Sequence, residues 1–505
     1  MFSTLVVVIF YLMEKCIVLL SKSQYIRGLQ CHKSLWLYKH KPELQNAVDQ
    51  SNESLFATGN VVGDYATQLF PDGIEIEFTP DDFDGMIKKT ATLLEEGVET
   101  IYEAAFKEKS VFAMADILNK TDKGWDIYEV KASTGTKEYH RDDAAIQYYA
   151  LSNVLKINKV FIVHINNKYE RDGELDINAL FAIDDITDDV IARQSNIHST
   201  LKSLDIMLKA EEPSVDIGAQ CSTPHDCSLR DHCWKHIPNP SIFNLYRMNS
   251  SKKFDLYYKN IIKYEDISDE VKLNHVQALQ VNASINDEVV IDKKIIHDFL
   301  ENIEYPISFF DFETFQNAIP RFDNQRPYMQ MPFQYSLHVI NKKGDLSHVE
   351  YLGDENTDPR RELSECMLND IPKTGSIMAY YMPFEKSRIK ELAKLFPDLH
   401  DDLISLTERF VDLLVPFQKL GYYHPNFNGS FSIKSVLPAL FPNEPELDYK
   451  KLGIQNGGMA MDTFANLYLL KDKSKREKIR NDLLAYCHLD TLAMVRIWEK
   501  LNAVT

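Results

Sequence analysis

Between Val111 and Ser133 apolar and polar positions alternate through VFAMADILNKTDKGWDIYEVKAS. Two runs rich in β-branched and aromatic residues flank a polar segment ending in Gly124, and the pattern predicts a β-hairpin. With Thr121–Gly124 as a four-residue loop, Lys120 pairs with Trp125 and Asp116 falls opposite Glu129. Lys131, two residues beyond Glu129, projects from the same face. Helical spacing follows Ser21, a suitable N-cap, as far as Pro42 with an interruption at Gly28. Asp84–Lys107 reads as a helix and then an edge strand, and Asp184–Lys209 as a helix.

The second half changes character. Residues 237–304 form short amphipathic pieces that read as a helical connector. From Tyr305, ISFFDFET is an apolar strand with Asp311 and Glu313 on one face. Tyr335–Asn341 and Ile377–Met382 are further strands, and Pro383 suits the first turn of a helix that places Glu385 near its start. NDLLAYCHLDTLAMVRIWEKL is an amphipathic helix with Asn481 as N-cap, and Tyr486 and Asp490 lie one turn apart on it. The expected class is α/β, divided as an extension over 1–20, a domain over 21–236, the connector over 237–304 and a domain over 305–505.

A net charge of −19 excludes a broadly basic nucleic-acid coat, because such binding runs on counterion release by Lys and Arg. It leaves room for a local basic groove. The apolar run Thr4–Met13 has no basic flank and is broken by Glu14-Lys15, well short of the ~20 apolar residues a spanning helix needs. No membrane segment is expected, and a cytoplasmic protein is. If translation starts at Met13, Ile17–Leu20 becomes a short strand leading into the Ser21 helix.

Opposed carboxylates repel, so Asp116 and Glu129 call for a cation between them, and a hard divalent ion with oxygen ligands fits. Asp116 also sits in an otherwise apolar run, where an unpaired carboxylate is costly to bury. The D…E-x-K pattern resembles the core of the PD-(D/E)XK nucleases, specifically their RecB-like branch. DDAAIQYYAL, Asp142–Leu151, resembles that branch's Gln-x-x-x-Tyr helix, with Gln147 as the Gln and Leu151 at the Tyr position. Asp64 stands where the branch has an upstream His. Glu103 offers either a further ligand or a surface charge, and the surface reading is favoured.

Cys221, Cys227 and Cys233 fall within thirteen residues, and three thiols want a fourth ligand. The tight spacings of structural zinc modules are absent, and an iron-sulfur cluster on four thiolates fits better, with zinc as the alternative. One distant cysteine before the nuclease core and a trio after it resembles the iron-sulfur RecB-like nucleases, which include the CRISPR-adaptation exonucleases and AddB-type repair nucleases. That resemblance implies Cys31, Cys221, Cys227 and Cys233 as ligands of a 4Fe-4S cluster. Cys16, Cys366 and Cys487 read as buried thiols.

The order of the C-terminal pieces resembles the DnaQ-like exonucleases, which have an RNase H-like fold. It implies Asp311, Glu313, Glu385 and Asp490 as ligands of two metal ions and Tyr486 as the residue that positions the attacking water, with Glu385 standing where that family has Asp. Asp412 and SFSIKSVLPAL resemble that family's middle segment. From Ser21 onward the whole chain resembles a bacterial family that joins the two modules. The expectation is a nuclease using Mg²⁺ or Mn²⁺, exonucleolytic, whose nucleic-acid partner is DNA, with RNA as the alternative, and whose protein partners are unknown. The alternative is a nucleic-acid-binding or processing scaffold in which one or both sites have decayed.

Overall fold

In the computed structural model, which describes residues 18–47 and 50–505, the Ser21 hydroxyl accepts from the Gln24 N–H. The Gln24 side chain returns a bond to the Ser21 N–H, so a complete capping box starts α1, Lys22–Gln30. The helix passes through Gly28 and breaks at Cys31. Gly28 is a packing residue, since a Cβ there would meet Leu204 at 2.8 Å. α2, His32–His40, follows directly, and α3 spans Gln50–Ala66. Thr4–Met13, the Met13 start, Cys16 and Ile17 lie outside the described residues.

Two compact units emerge. The first contains the described residues up to His236 together with Ala318–Pro327. Its sheet runs β2 (Ile74–Glu75), β3 (Thr100–Glu108), β4 (Val111–Thr121), β5 (Gly124–Lys131), β6 (Ile157–Ile165), β7 (Phe181–Asp185), and β1 (Leu20–Ser21) pairs in parallel with the start of β4. Helix α4, Phe83–Glu95, precedes β3, which the two-residue β2 covers on its outer side. Lys120 pairs with Trp125 as the alternation predicts. Thr121 also pairs with Gly124, so the turn is the two residues Asp122–Lys123 and the register is unchanged. Gly124 has φ 145°, and a Cβ there would strike the Lys156 carbonyl at 2.4 Å.

Helix α5, Glu138–Leu151, carries the chain from β5 to the parallel strand β6. It buries Ala144, Ala145, Ile146, Ala150 and Leu151 in the core. α6, Thr187–Lys209, adds Val190, Ile197, Leu201, Leu204 and Leu208, a stripe at helical spacing.

The second unit contains Ile237–Asn317 and Tyr328–Thr505. Residues 237–304 thus sort with the C-terminal unit instead of standing as a connector. Helices α7 (Ser250–Tyr257), α8 (His275–Asn286) and α9 (Lys293–Leu300) lie in it. Leu245, Tyr264 and Val281 share a core, and β8 (Val290–Ile291) pairs with β14 (Tyr422–Tyr423).

The main sheet of this unit is ordered β11 (Leu346–Leu352), β10 (Met331–Ile340), β9 (Ile307–Phe315), β12 (Ile377–Ala379), β13 (Phe410–Asp412). The first three strands are antiparallel, and β9, β12 and β13 are parallel. Phe310, Phe312, Tyr335 and Leu337 share a core with α10 (Arg360–Asp370), α11 (Pro383–Leu395) and α12 (His400–Thr407). Asp311, Glu313, Gln334, Ser336 and His338 alternate with them and point to the opposite face. That face is covered by α14, Gly457–Leu467, and α15, Lys473–Val504, while α13, Ile433–Leu440, packs on α15. With both faces covered, eight of the nine β9 residues are buried.

Two elements differ from expectation. α15 begins at Lys473, because Asp472 accepts from the N–H groups of Ser474 and Lys475; Asn481 is inside the helix. β12 stops at Ala379, because Asp412 takes the N–H groups of Tyr381 and Met382 at 2.9 and 3.2 Å and turns the chain into α11. Among the described residues no helix is long and apolar enough to cross a membrane.

Candidate metal centres

β4 and β5 bring Asp116 and Glu129 to one end of the N-terminal sheet. The flanking pairs Tyr102 with Ile117 and Ala104 with Ala115 put Glu103 across from Asp116, so carboxylates from three neighbouring strands stand in a row. Glu103 therefore belongs to the site and not to the surface. Its φ of 53° interrupts the regular ladder there, which a strand pattern does not foretell. Helix α5 adds Asp143 and, one turn on, Gln147.

The polar contacts centre on Glu129, which is 1% exposed. Lys131 Nζ is 2.7 Å from Glu129 Oε1 and 2.5 Å from Asp143 Oδ2. Lys22 Nζ, from the first residue of α1, is 2.5 Å from the same Glu129 oxygen and 3.7 Å from Asp143. Gln147 Nε2 donates to Glu129 Oε2 at 2.7 Å, and the Val130 N–H to Asp116 Oδ2 at 2.7 Å. Leu151 is in the core, and Asp64 lies exposed on α3.

Burial alone would raise Glu129, but the Lys131 and Lys22 ammoniums hold it well below the carboxylate range. Burial would lower Lys131, yet Asp143 and Glu129 keep it charged. Burial, and then Glu129, pushes Asp116 up to about 6; burial, and then Asp116, pushes Glu103 up to about 8. Four carboxylates against two ammoniums leave formal negative charge on the Asp116 and Glu103 side.

In the C-terminal unit, Asp311 and Glu313 from β9, Glu385 from the first turn of α11, and Tyr486 and Asp490 from α15 line one cavity of about 380 Å³. Tyr449 OH donates to Asp490 Oδ1 at 2.6 Å, and Lys434 Nζ donates to Tyr486 OH at 3.1 Å. Glu385 is 2% exposed, and its Oε2 has no hydrogen-bond partner. Burial raises all four acids: Asp311 and Glu313 well above their range, Asp490 to about 6 and Glu385 to about 8. The first two are raised further by the neighbouring carboxylates. Such a group repels itself, at an effective cost of several kcal/mol per buried ion, unless cations enter. Its donors are oxygens, which fits hard divalent ions.

The cysteines form a third centre. Cys31, at the joint of α1 and α2, shares an enclosed pocket with Cys221, Cys227 and Cys233, and all four are free thiols. Gln30 Nε2 donates to the carbonyls of Gln220 and His225, tying the joint to the trio. Burial pushes the Cys31 thiol up, against the pull of the Ser34 and Lys33 N–H groups at the start of α2. Cys366 is only partly buried. Cys487 is buried, with its sulfur within 4.8 Å of Asp311 and Glu313 oxygens.

Sequence reasoning missed Lys22, Asp143, Lys434 and Tyr449. Lys22 and Tyr449 come from elements distant in the chain from the acids they meet, while Asp143 and Lys434 lie inside the quoted stretches DDAAIQYYAL and SFSIKSVLPAL without a role that the pattern assigns. It also missed Tyr381, whose φ of 78° presents an exposed ring at the cavity rim.

A family model described as a domain of unknown function (DUF2779) matches residues 308–432, a span holding Asp311, Glu313 and Glu385 but neither Tyr486 nor Asp490. Uncharacterized protein UU173 of Ureaplasma parvum serovar 3 is 26% identical over 231 residues, covering 42% of this chain and 33% of its own length. Uncharacterized protein MG366 of Mycoplasma genitalium is 26% identical over 214 residues, covering 37% of this chain and 31% of its own. The chain thus spans about a third of the length of these curated relatives. No solved structure gives a significant match.

Proposed function

We propose that the chain is a cytoplasmic, metal-dependent nuclease that removes nucleotides from the ends of DNA or RNA through two catalytic modules. One observation carries this reading: four carboxylates from three separate elements, three buried and Asp311 half-buried, line one cavity beside a tyrosine hydroxyl, and one of their oxygens has no partner. The mixed sheet with helices on both faces supports a DnaQ-type, RNase H-like C-terminal module. The hairpin and α5, which join Asp116, Glu129, Lys131 and Gln147, support a RecB-like PD-(D/E)XK module.

In the C-terminal module Asp311, Glu313, Glu385 and Asp490 would hold Mg²⁺ or Mn²⁺; in the N-terminal module Asp116 and Glu129 would, with Glu103 joining them. When bound, such ions supply Lewis-acid activation of water and neutralise charge at the scissile phosphate. The protein's own groups do the positioning. Tyr486, whose hydroxyl accepts from Lys434 and hydrogen-bonds the Asp490 carboxylate, would turn its proton toward the water once Asp490 holds a cation and so set the line of attack. Lys434 places positive charge beside the phosphate, and the exposed Tyr381 ring offers a face on which a terminal base can stack. In the N-terminal module Lys131 orients the water while Gln147 fixes Glu129.

The four cysteines would hold a 4Fe-4S cluster, which supplies a structural clasp on the domain. Among the described residues they are not one of the groups whose ligand atoms converge within 4.8 Å, and single-ion zinc sites with Zn–S of about 2.3 Å need such convergence.

Full-length protein incubated with Mg²⁺ or Mn²⁺ and 5′- or 3′-labelled DNA and RNA oligonucleotides should yield mononucleotides from one end. Asp490→Asn and Asp116→Ala should each remove a distinct part of that activity. Intact substrate in every lane would overturn the reading. A second reading, in which the N-terminal site only binds nucleic acid, is favoured by Lys22, which already sits on Glu129. It predicts an Asp116→Ala protein with unchanged products.

A further inference from the structure

A third group of convergent ligand atoms lies outside both carboxylate sites. His338 and His348 are directly opposed in the β10–β11 ladder, and α15 lays His488 across them. The ring centroids are 4.3 Å apart for His338–His348, 4.3 Å for His348–His488 and 4.8 Å for His338–His488. One nitrogen from each ring falls within 4.8 Å of the other two. Rings that merely fill space have no need to aim their nitrogens at a common point.

Two hydroxyls fix the rings from behind. His338 Nδ1 is 2.8 Å from Thr491 Oγ1, Thr491 Oγ1 is 2.7 Å from Ser336 Oγ, and Ser336 Oγ is 2.9 Å from His348 Nε2. The outer two of these bonds engage one ring nitrogen each of His338 and His348 and orient the rings, as outer-shell partners orient metal-binding histidines. His338 is 2% exposed, whereas His348 stands at the solvent edge and gives an ion a way in.

We propose that His338, His348 and His488 form a metal site for a borderline transition ion, Zn²⁺ first among them, with three protein ligands and an open fourth position. Three imidazoles select such an ion over Mg²⁺, which prefers oxygen. The site joins the β10–β11 hairpin to the helix that carries Tyr486 and Asp490.

The test uses full-length protein stripped with chelator, then dialysed against micromolar Zn²⁺ in excess Mg²⁺ to keep the carboxylates occupied. Wild type should hold one more Zn²⁺ per chain than His348→Gln or His488→Asn; zinc on the cysteines is common to all three and cancels. Because His348 lies at the edge, its variant keeps the fold, as circular dichroism would verify. Thr491→Val, which removes the hydroxyl that holds His338 and links it to Ser336 and leaves all three rings in place, should weaken Zn²⁺ binding by about 10–100-fold. Equal zinc content and affinity in wild type and His348→Gln would overturn the proposal, as would zinc that disappears only with Cys227→Ser.

Discussion

The Lys22 ammonium lies 2.5 Å from Glu129 Oε1, across 107 positions of sequence. Since Lys131 holds the same oxygen, removing Lys22 leaves Glu129 paired and makes the acidic row more negative by one charge. At ~5 Å and an effective dielectric of 20 a unit charge is worth about 3 kcal/mol, which solvent at the partly exposed rim reduces. Lys22→Met should therefore tighten Mn²⁺ binding at the N-terminal site by about tenfold. Calorimetric titration in an Asp490→Asn background would measure it, and weaker binding would mean that Lys22 organises the site instead of competing for it.

The acids of the C-terminal cavity give the metal-free protein an inverted pH response. Asp490 and Glu385 are pushed up to about 6 and about 8 in the folded chain, so between the ordinary carboxylate range and those values the folded state holds more protons than the unfolded. Stability then falls as pH rises through that window. Melting in chelator should drop by roughly 5 °C between pH 5 and pH 8.5, and Mg²⁺ should recover it. A metal-free melting temperature that climbs with pH would show that the acids are compensated by groups within the fold.

Glu385 and Asp490 should respond differently to shortening and to neutralisation. Glu385→Asp leaves a carboxylate in the cavity, and cleavage should stay equal or rise. Asp490→Asn deletes a ligand charge and should lower kcat by at least about a hundredfold. Tyr486→Phe should lower kcat while leaving Mn²⁺ affinity within about twofold, because its hydroxyl faces the water and not the ion. If Tyr486→Phe instead weakened Mn²⁺ binding, the hydroxyl would belong to the ligand set.

Anaerobically purified protein should be brown, with charge-transfer absorbance near about 400 nm, and contain iron and sulfide. Cys227→Ser should bleach it and expose α1 and α2 to protease. Colourless wild type with stoichiometric zinc would assign the thiols to zinc.

Local pattern was enough for the hairpin register, the first cap and the strand bearing Asp311 and Glu313, because period-two alternation and a Ser-x-x-Gln box act over a few residues. It was also enough to nominate Glu385 and Asp490 from helix positions, although only the folded sheet brings them to one cavity. Lys434, Tyr449 and the three histidines were not legible, since nothing in a short window tells which strand partner or covering helix a residue will meet. Glu103 was misread for a different reason: a single left-handed residue in β3 breaks the periodicity on which strand reading depends.

Cys31 lies 190 residues ahead of Cys221, the first of its pocket partners, and β1 waits for β4. At a synthesis rate of ~5–20 residues per second, the first helices emerge on the order of 10–40 s before Cys233 exists to complete the pocket. Through that interval a nascent chain presents Cys31 without its pocket partners, and an oxidant could cap it before cluster or metal arrives. With a cluster on those thiols, as proposed, the timing of translation as well as the supply of iron would set how much of this protein is born able to close its N-terminal unit.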